Sequence, residues 1–243
     1  MSLLANIQIL DSVDSTNSYA LRNFDSLPDG SLTIARSQSA GRGRKDRNWA
    51  SPPDVNAYVS LTLKGFSFLA SQASWVGSLA ALDALRAEAP NLDFKVKWPN
   101  DILCGGAKIA GILCEAKSGG IVIGIGVNLN MTRAELDKLG RPATSLLAET
   151  GKHVEDAVSF AIEMGEKAMI VYENAKKDGI ETLYSRWSRE TGLAGARVKA
   201  LMDDGRSFSG TVQALLADGS LAIRRDDGQL LHFASGEISL RSL

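Results

Sequence analysis

Residues 109–127 read IAGILCEAKSGGIVIGIGV, and this stretch carries the strongest information on the fold. Two apolar runs, at residues 109–115 and 121–127, flank the turn-forming residues Ser118-Gly119-Gly120. Short runs rich in isoleucine and valine favour strands, and a glycine-containing turn between two such runs favours antiparallel pairing. The stretch therefore predicts a β-hairpin in the core of a sheet.

Strand and helix patterns continue on both sides of this hairpin. Apolar composition and alternation predict further strands at residues 7–9, 32–35, 58–63 and 94–98. Ser15 is an N-cap candidate for a short helix, and apolar residues at helical spacing predict an amphipathic helix from residue 71. A longer helical region covers about residues 155–188, with a break near Gly179. Helices mixed with antiparallel strands indicate an α+β fold with a mixed or antiparallel sheet.

The end of the chain has a different pattern. Residues 197–242 contain three Asp-Gly pairs, at 204–205, 218–219 and 227–228, and each pair lies between short β-prone runs. Asp-Gly is a strong hairpin signal because both residues tolerate the positive φ angles of tight turns. Four or five short strands in so short a segment predict a small β-barrel. We therefore expect a larger domain over residues 1–192 and a small one over residues 193–243.

The composition is ordinary for a globular protein and argues against several classes. The 243 residues include 27 basic and 28 acidic residues, for a formal net charge of −1. Near neutrality weakens a general nucleic-acid-binding role, because such proteins usually present a broad basic surface. The first ten residues lack the features of a signal peptide, and no apolar run is long enough to span a bilayer. We expect a cytoplasmic protein.

A basic loop, GRGRKDRNW at residues 41–49, is the clearest chemical signal. Glycines let a ligand approach the backbone, and guanidinium groups bind carboxylate and phosphate oxygens in pairs. Trp49 offers a flat face to a base. These features predict a clamp over an anion attached to an aromatic group, although the loop alone fits a solvated basic segment or a nucleic-acid patch equally well. Four crowded cations with Asp46 as the one acid predict a mobile loop before ligand binding.

Polar residues also interrupt two apolar strands. Pro99 ends one strand and leaves Asn100 and Asp101 at its end, where ligands often meet a sheet. Asp101 is suited to orienting a magnesium-bound triphosphate or receiving an arginine, and equally to capping a turn. Lys108 begins an apolar strand that contains Gly111. Its ammonium is placed either to bind a carboxylate or an α-phosphate, or to sit at a solvated strand end.

The strand at residues 124–127 carries glycines on one face. Gly124 and Gly126 are two residues apart, so they clear the same side of the sheet for a flat or chain-like ligand, and Asn128 follows at the exit. The segment is not a dinucleotide-binding fingerprint, because the third glycine and the following helix are missing.

These motifs, in this order, resemble the biotin protein ligases. The resemblance rests on residues 14–17, 38, 41–49, 97–101, 108–113 and 124–128 with the small C-terminal barrel, and it covers nearly the whole chain. It implies a catalytic domain similar to that of class II aminoacyl-tRNA synthetases, followed by an SH3-like barrel. Two departures are visible. The first motif begins at residue 14, which leaves no room for the N-terminal DNA-binding domain of many bacterial members, and Lys45-Asp46 replaces the more usual Arg-Gly.

The resemblance implies a two-step reaction with biotin and MgATP as substrates. The biotin carboxylate attacks the α-phosphate, giving biotinyl-5′-AMP and pyrophosphate. A lysine of a biotin carboxyl carrier protein then takes the biotinyl group and releases AMP. This chain needs no nucleophile of its own, and neither His153 nor His232 lies in a motif, which argues against a Ser-His hydrolase. Relatives are often homodimers, so a homodimer is a further expectation.

The resemblance also implies which residues bind the substrates. Those for biotin are Ser15, Thr16, Asn17, Gln38, Gly41, Arg42, Gly43, Lys108, Gly111, Gly124 and Gly126. Those for the nucleotide are Arg44, Arg47, Trp49, Asn100, Asp101, Lys108 and Asn128. Lys108, Arg44 and Arg47 are the expected catalytic cations, and Asp101 is the expected contact for the Mg²⁺ that accompanies ATP.

Two other functions stay open from the sequence. A lipoate or octanoate protein ligase or transferase shares the same general fold, but it would need a longer apolar groove, and the arginine loop with its closing tryptophan fits biotinyl-AMP better. A nucleic-acid-binding module that uses the loop and the barrel is the more distant alternative.

Overall fold

The computed structural model describes residues 2–202, 204–234 and 238–242. Within these residues the larger of two sheets has seven strands: β1 (Asn6–Leu10), β2 (Ser31–Ala35), β3 (Ala57–Lys64), β4 (Phe94–Lys97), β5 (Asp101–Cys104), β6 (Ala107–Lys117) and β7 (Gly120–Val127). Their order is β1-β2-β3-β7-β6-β5-β4. The β1–β2 pair is parallel and the other pairs are antiparallel, which confirms the predicted mixed sheet.

The predicted hairpin forms the centre of this sheet. Strands β6 and β7 pair over residues 110–117 and 120–127, and β7 pairs along its whole length with β3 on its other side. Ile109, Ile123 and Ile125 are therefore almost fully buried, at 2% exposure or less. The prediction of a core hairpin is confirmed.

Helices cover the sheet unequally on its two faces. They are α1 (Thr16–Arg22), α2 (Ala73–Glu88), α3 (Arg133–Asp137), α4 (Leu146–Thr150), α5 (Ala157–Asp178) and α6 (Ile180–Thr191). Helix α2 packs on the face that carries Ile112 and Ile123, whereas α1 lies over the opposite face, which carries Gly124. Gly179, with φ of 89°, separates α5 from α6 at the predicted break. Among the described residues, no helix has the length and apolarity needed to cross a bilayer.

The predicted amphipathic character of α2 is wrong. The helix begins at Ala73, close to the expected residue 71, but eleven of its sixteen residues are buried, including Ser78 and Gly77. Because α2 contacts the sheet, α5 and α6, it has little surface left for solvent. A helix that is buried nearly all round is a core helix rather than a surface one.

The tail forms a second, smaller sheet. Its strands are β8 (Arg197–Met202), β9 (Ser207–Leu215), β10 (Leu221–Arg225), β11 (Leu230–Phe233) and β12 (Ile238–Ser242). They pair antiparallel in the order β11-β10-β9-β8-β12, as expected for a small SH3-like domain.

The three Asp-Gly pairs lie in the turns of this sheet, but the two residues act differently. Each glycine has positive φ, at 86°, 85° and 89° for Gly205, Gly219 and Gly228. The aspartates do not share this conformation. Instead the Oδ1 of each accepts a hydrogen bond from the backbone N–H two residues later, at 2.9 to 3.0 Å. The pairs therefore form hairpin turns because aspartate caps the turn and glycine supplies the left-handed backbone.

The hairpin of β9 and β10 contacts the larger part of the chain. Trp98 donates its Nε1–H to the Gly219 carbonyl at 2.9 Å, and Gln72 donates its amide to the Ala217 carbonyl at 2.8 Å. The Tyr184 hydroxyl donates to the Leu215 carbonyl at 2.6 Å. Three side chains from the larger part of the chain thus satisfy backbone carbonyls of the tail.

We predict that Trp98→Phe destabilises the protein by about 1–2 kcal/mol more than Trp187→Phe does. Both tryptophans are buried, so the loss of volume is matched. Trp98 makes the hydrogen bond to Gly219, whereas the Trp187 Nε1 has no partner among the described residues. Urea unfolding of the two full-length variants gives the comparison, and equal free energies of unfolding would contradict the assigned role of the bond.

Candidate active site

Two adjoining cavities open on the sheet face opposite α2. The polar cavity is lined by Thr16, Asn17 and Gln38, among others. The cationic cavity is lined by Arg47, Lys97, Asp101 and Arg141, among others. Five of the residues that the structure describes line both cavities: Gly43, Arg44, Trp49, Asn100 and Lys108.

Uncharged hydrogen-bonding groups form one end of the polar cavity. Ser15 caps α1, which places Thr16 and Asn17 in its first turn. The Gln38 Oε1 accepts hydrogen bonds from the Thr16 backbone N–H at 2.8 Å and from its hydroxyl at 3.2 Å. The buried Ser60 hydroxyl lies 2.8 Å from Thr16 Oγ1 and 2.6 Å from Asn17 Oδ1. This network fixes donors and acceptors without adding a formal charge, which suits a neutral polar ligand.

Asn17 covers the first of the two strand glycines. A Cβ at Gly124 would lie 2.1 Å from the Asn17 Oδ1, so glycine is required for this contact. The Asn17 Nδ2 donates to the Leu113 carbonyl at 3.0 Å and to the Glu115 carboxylate at 2.9 Å. The space cleared at Gly124 therefore holds a protein side chain, whereas the sequence predicted an open ligand surface.

Trp49 covers the second strand glycine in the same way. A Cβ at Gly126 would lie 2.6 Å from the indole, and a Cβ at Gly111 would lie 2.9 Å from it. The Lys108 ammonium lies 5.2 Å from the centre of the indole ring, within cation–π distance. Glycines on β6 and β7 thus let the tryptophan lie flat against the sheet beside Lys108.

The basic loop folds back on itself. The Gly43 N–H donates to the Arg47 carbonyl at 2.7 Å, and the Trp49 N–H donates to the Gly41 carbonyl at 2.9 Å. Gly41 is a close-packing position, since a Cβ there would lie 2.4 Å from the Trp49 carbonyl oxygen. Lys45 adopts left-handed backbone, with φ of 56°. These contacts give the loop a defined shape.

The arginines of the loop have unequal partners. Arg42 forms an ion pair with Glu115 at 2.7 Å and donates to the Ser18 hydroxyl at 3.2 Å. Arg44 donates to the Asn100 side-chain oxygen at 3.3 Å, and burial lowers its pKa. Among the described side chains, no carboxylate lies within ion-pair distance of Arg44 or Arg47; the side chain of Asp46, the acid that the sequence places in this loop, lies outside the described part.

Lys108 and Asp101 form the central ion pair. Their Nζ and Oδ1 atoms are 2.6 Å apart, and the side chains are only 20% and 24% exposed. Strands β5 and β6 bring the two residues together across an irregularity in their register. Burial lowers the pKa of Lys108, the Asp101 carboxylate opposes that shift, and the neighbouring cations Arg141 and Arg47 add to it. An incoming anion would reinforce the charged ammonium.

The structure also brings the segment 141–144 to this site, which the sequence did not predict. The Lys108 N–H donates to the Pro142 carbonyl at 3.2 Å, and the Thr144 N–H donates to the Lys108 carbonyl at 2.9 Å. The buried Asn128 donates its amide to the Thr144 carbonyl at 2.9 Å. Asn128 also lines a small third cavity with Trp49, and its bond to Thr144 uses one of the two Nδ2 hydrogens.

Comparisons with known proteins agree with this geometry. Residues 9–131 match the model of the "Biotin/lipoate A/B protein ligase family", and residues 194–241 match the "Biotin protein ligase C terminal domain". The bifunctional ligase/repressor BirA of Salmonella typhimurium is 33% identical, over 98% of this chain and 75% of that protein.

The chain belongs to the biotin protein ligase family. The biotin–[acetyl-CoA-carboxylase] ligase of Paracoccus denitrificans is 38% identical, over 63% of this chain and 67% of that protein. The biotin protein ligase of Aquifex aeolicus, solved in complex with biotin and ATP, is similar in structure with a TM-score of 0.84. It is 26% identical and the match covers 99% of this chain and 100% of that one. The catalytic fold therefore matches the class II synthetase-like fold of biotin protein ligases.

The residues expected from the sequence converge on the three cavities. Every one of them except Gly41 lines at least one cavity. Sequence reasoning missed Ser60, Glu115 and Arg141. Glu115 had a signal, since it is a charged residue inside an apolar strand, whereas Ser60 and Arg141 lie in no motif.

The described residues offer no ready-made metal centre. No cluster of three or more histidine, cysteine, aspartate or glutamate side chains occurs among them. Asp101 is a single carboxylate, and Lys108 already occupies its Oδ1. One carboxylate suits an Mg²⁺ ion that brings phosphate oxygens and water as its other ligands, so a metal would enter with its nucleotide as part of the substrate.

We predict that Gly124→Ala destabilises the protein by about 1–3 kcal/mol, as overpacking typically does. The added methyl would clash with Asn17, and Asn17→Ala removes the clashing atoms. The double variant should therefore be more stable than the sum of the two single effects implies. Urea unfolding of the four proteins in this cycle measures the coupling, and strictly additive effects would show that Asn17 does not pack over Gly124.

Proposed function

We propose that the chain is an ATP-dependent ligase that forms biotinyl-5′-AMP and transfers biotin to a lysine of a biotin carboxyl carrier protein. The observation that carries this proposal is the position of Lys108 and Arg44, which line both the polar and the cationic cavity. If each cavity held a ligand, the two ligands would come into contact beside these two cations. The biotin ligases to which the chain is similar favour this function over lipoate ligation.

The polar cavity is suited to biotin. The ureido ring is neutral and has both donors and an acceptor, and the network around Thr16 and Gln38 supplies matching uncharged groups. The carboxylate at the other end of biotin would then reach Lys108 and Arg44. Fixed cations at this point would hold the carboxylate for attack and neutralise the charge that develops on the phosphate.

The cationic cavity is suited to MgATP. The α-phosphate would lie beside Lys108 and Arg44, with the adenine against Trp49 and near Asn128. Asp101 would hold Lys108 in place and contact the Mg²⁺ that the triphosphate carries. Closure of the basic loop would exclude water, which protects the mixed anhydride from hydrolysis until the carrier lysine attacks its acyl carbon.

The remaining organisation is part of the same proposal. We assign residues 1–192 to a catalytic domain and residues 193–243 to a second domain; α6 ends at Thr191 and β8 begins at Arg197. Ile238 and Leu240 of the second domain line the cationic cavity, and none of the described residues of this domain lines the polar one. We therefore place its role in nucleotide use and transfer. A cytoplasmic location and a homodimer complete the proposal.

The experiment that tests the function uses α-³²P-labelled ATP with biotin or lipoate. Formation of a labelled acyl adenylate with biotin alone is the expected result. Formation with lipoate alone would assign the chain to lipoate ligation. No adenylate with either acid, together with salt-sensitive RNA binding, would favour the nucleic-acid alternative.

We predict that Lys108→Ala lowers the rate of biotinyl-AMP formation about a hundredfold or more while the protein stays folded. Loss of a cation that acts in the transition state costs about 3 kcal/mol. Lys95→Ala is the matched control, because Lys95 is an exposed lysine of β4 that pairs with Asp93, two residues earlier in the chain. Single-turnover assays give the rates, and wild-type rates in Lys108→Ala would refute the assigned role.

We also predict that substrates protect the basic loop from trypsin. Arg42, Arg44, Lys45 and Arg47 are all cleavage points, and an anion between Arg44 and Arg47 would hold the loop closed. Apo protein should be cut there, and protein with biotin and MgATP should resist. Cleavage at Arg206, in an exposed turn, should be the same in both states. Equal cleavage of the loop with and without substrates would show that substrates do not order the loop.

A further inference from the structure

Arg141 is a cation that lies outside the sequence motifs on which the family resemblance rests, yet it lines the site. It lines the cationic cavity together with Arg47 and Lys97, and it also lines the small cavity beside Trp49. Its guanidinium makes no hydrogen bond or ion pair to any residue within the described ranges. A half-buried guanidinium without a protein partner retains its full capacity to bind an anion.

The backbone on the C-terminal side of Arg141 is fixed relative to Lys108. Hydrogen bonds from Lys108 to Pro142 and from Thr144 to Lys108 form a short parallel bridge between the two segments. Asn128, at the end of β7, holds Thr144 from another direction. Pro142, the residue after Arg141, is hydrogen-bonded to Lys108, so the backbone beside Arg141 is held in place.

The charge balance of the cationic cavity favours a highly charged anion. Among the described residues, the cations that line it include Arg44, Arg47, Lys97, Lys108 and Arg141. Asp101 is the one carboxylate among the described side chains of this lining, and it is already paired with Lys108. Like charges this close repel each other, so a ligand with several negative charges would relieve that repulsion.

The arrangement of the two cavities indicates which part of ATP reaches Arg141. The carboxylate and the α-phosphate must meet where the cavities join, at Lys108 and Arg44. Arg141 lines only the cavities on the far side of this junction. In an in-line displacement the leaving group lies opposite the attacking oxygen, so the pyrophosphate portion extends away from the polar cavity.

We propose that Arg141 is a substrate-binding residue for the β- and γ-phosphates of ATP and for the pyrophosphate that leaves. This inference rests on the proposed function. In the adenylation step a biotin carboxylate oxygen forms a bond to the α-phosphorus, and the bond from that phosphorus to the bridging oxygen breaks. Pyrophosphate departs with the electron pair, so negative charge grows on the group that Arg141 contacts. Arg141 acts in adenylation and has no partner in the transfer step.

The test compares Arg141→Ala and Arg141→Lys with wild type in the two half-reactions. Arg141→Ala should raise the KM for ATP in adenylation, and the KM for pyrophosphate in the reverse reaction from biotinyl-AMP, roughly tenfold or more. Arg141→Lys should recover part of each loss, because it keeps the charge without the bidentate fork. The KM for biotin, inhibition by AMP, and transfer from isolated biotinyl-AMP to a carrier domain should not change.

Arg133→Ala is the matched control. Arg133 lies nearby in sequence and is exposed, pairs with Glu149, and does not line the cationic cavity. It should keep the wild-type KM values for ATP and pyrophosphate. A thermal melt of each variant confirms that it is folded.

Two outcomes would overturn the assignment of Arg141. Unchanged KM values for ATP and pyrophosphate in folded Arg141→Ala would remove Arg141 from substrate binding. Weaker inhibition by AMP with an unchanged KM for pyrophosphate would place it on the nucleoside instead. Failure of the proposed function is distinguishable, because wild-type protein would then form no biotinyl-AMP at all.

Discussion

The half-buried ion pair between Lys108 and Asp101 is the constraint on which the rest of the site depends. A lysine ammonium removed from water is strongly destabilised unless a carboxylate and further hydrogen-bonding groups compensate it. Strands β5 and β6 supply the two charges, and the Trp49 indole covers Lys108 from above. The segment after Arg141 fixes the backbone of Lys108 on both sides. The ammonium is thereby held at the junction of two cavities, where carboxylate and phosphate would meet.

The central hairpin connects this site to the fold. Its isoleucines face α2 and form the core, while its glycines on the opposite face admit Asn17 and Trp49. Because strand residues alternate between faces, one short sequence serves both purposes. A change of register by one residue would exchange the two faces and would disrupt both the core and the site.

Local features of the fold were predictable from the sequence, and long-range ones were not. The hairpin, the break at Gly179 and the Asp-Gly turns depend on residues close together in the chain, and the structure confirms them. The burial of α2 depends on contacts with several elements that are distant in the chain. The spacing of its apolar residues therefore predicted an amphipathic helix, which is wrong. Arg141 and Ser60 reach the site only through tertiary contacts. The family motifs predicted most of the residues that line the cavities. They did not predict that Asn17 and Trp49 cover the glycines of β7.

A crystal structure with bound biotinyl-5′-AMP would test the central claim most directly. We predict that the Lys108 Nζ lies about 3 Å from an oxygen of the acyl phosphate and still contacts Asp101. We also predict biotin in the polar cavity and the nucleotide in the cationic one. An acyl phosphate remote from Lys108, or an adenylate bound outside these two cavities, would contradict the account.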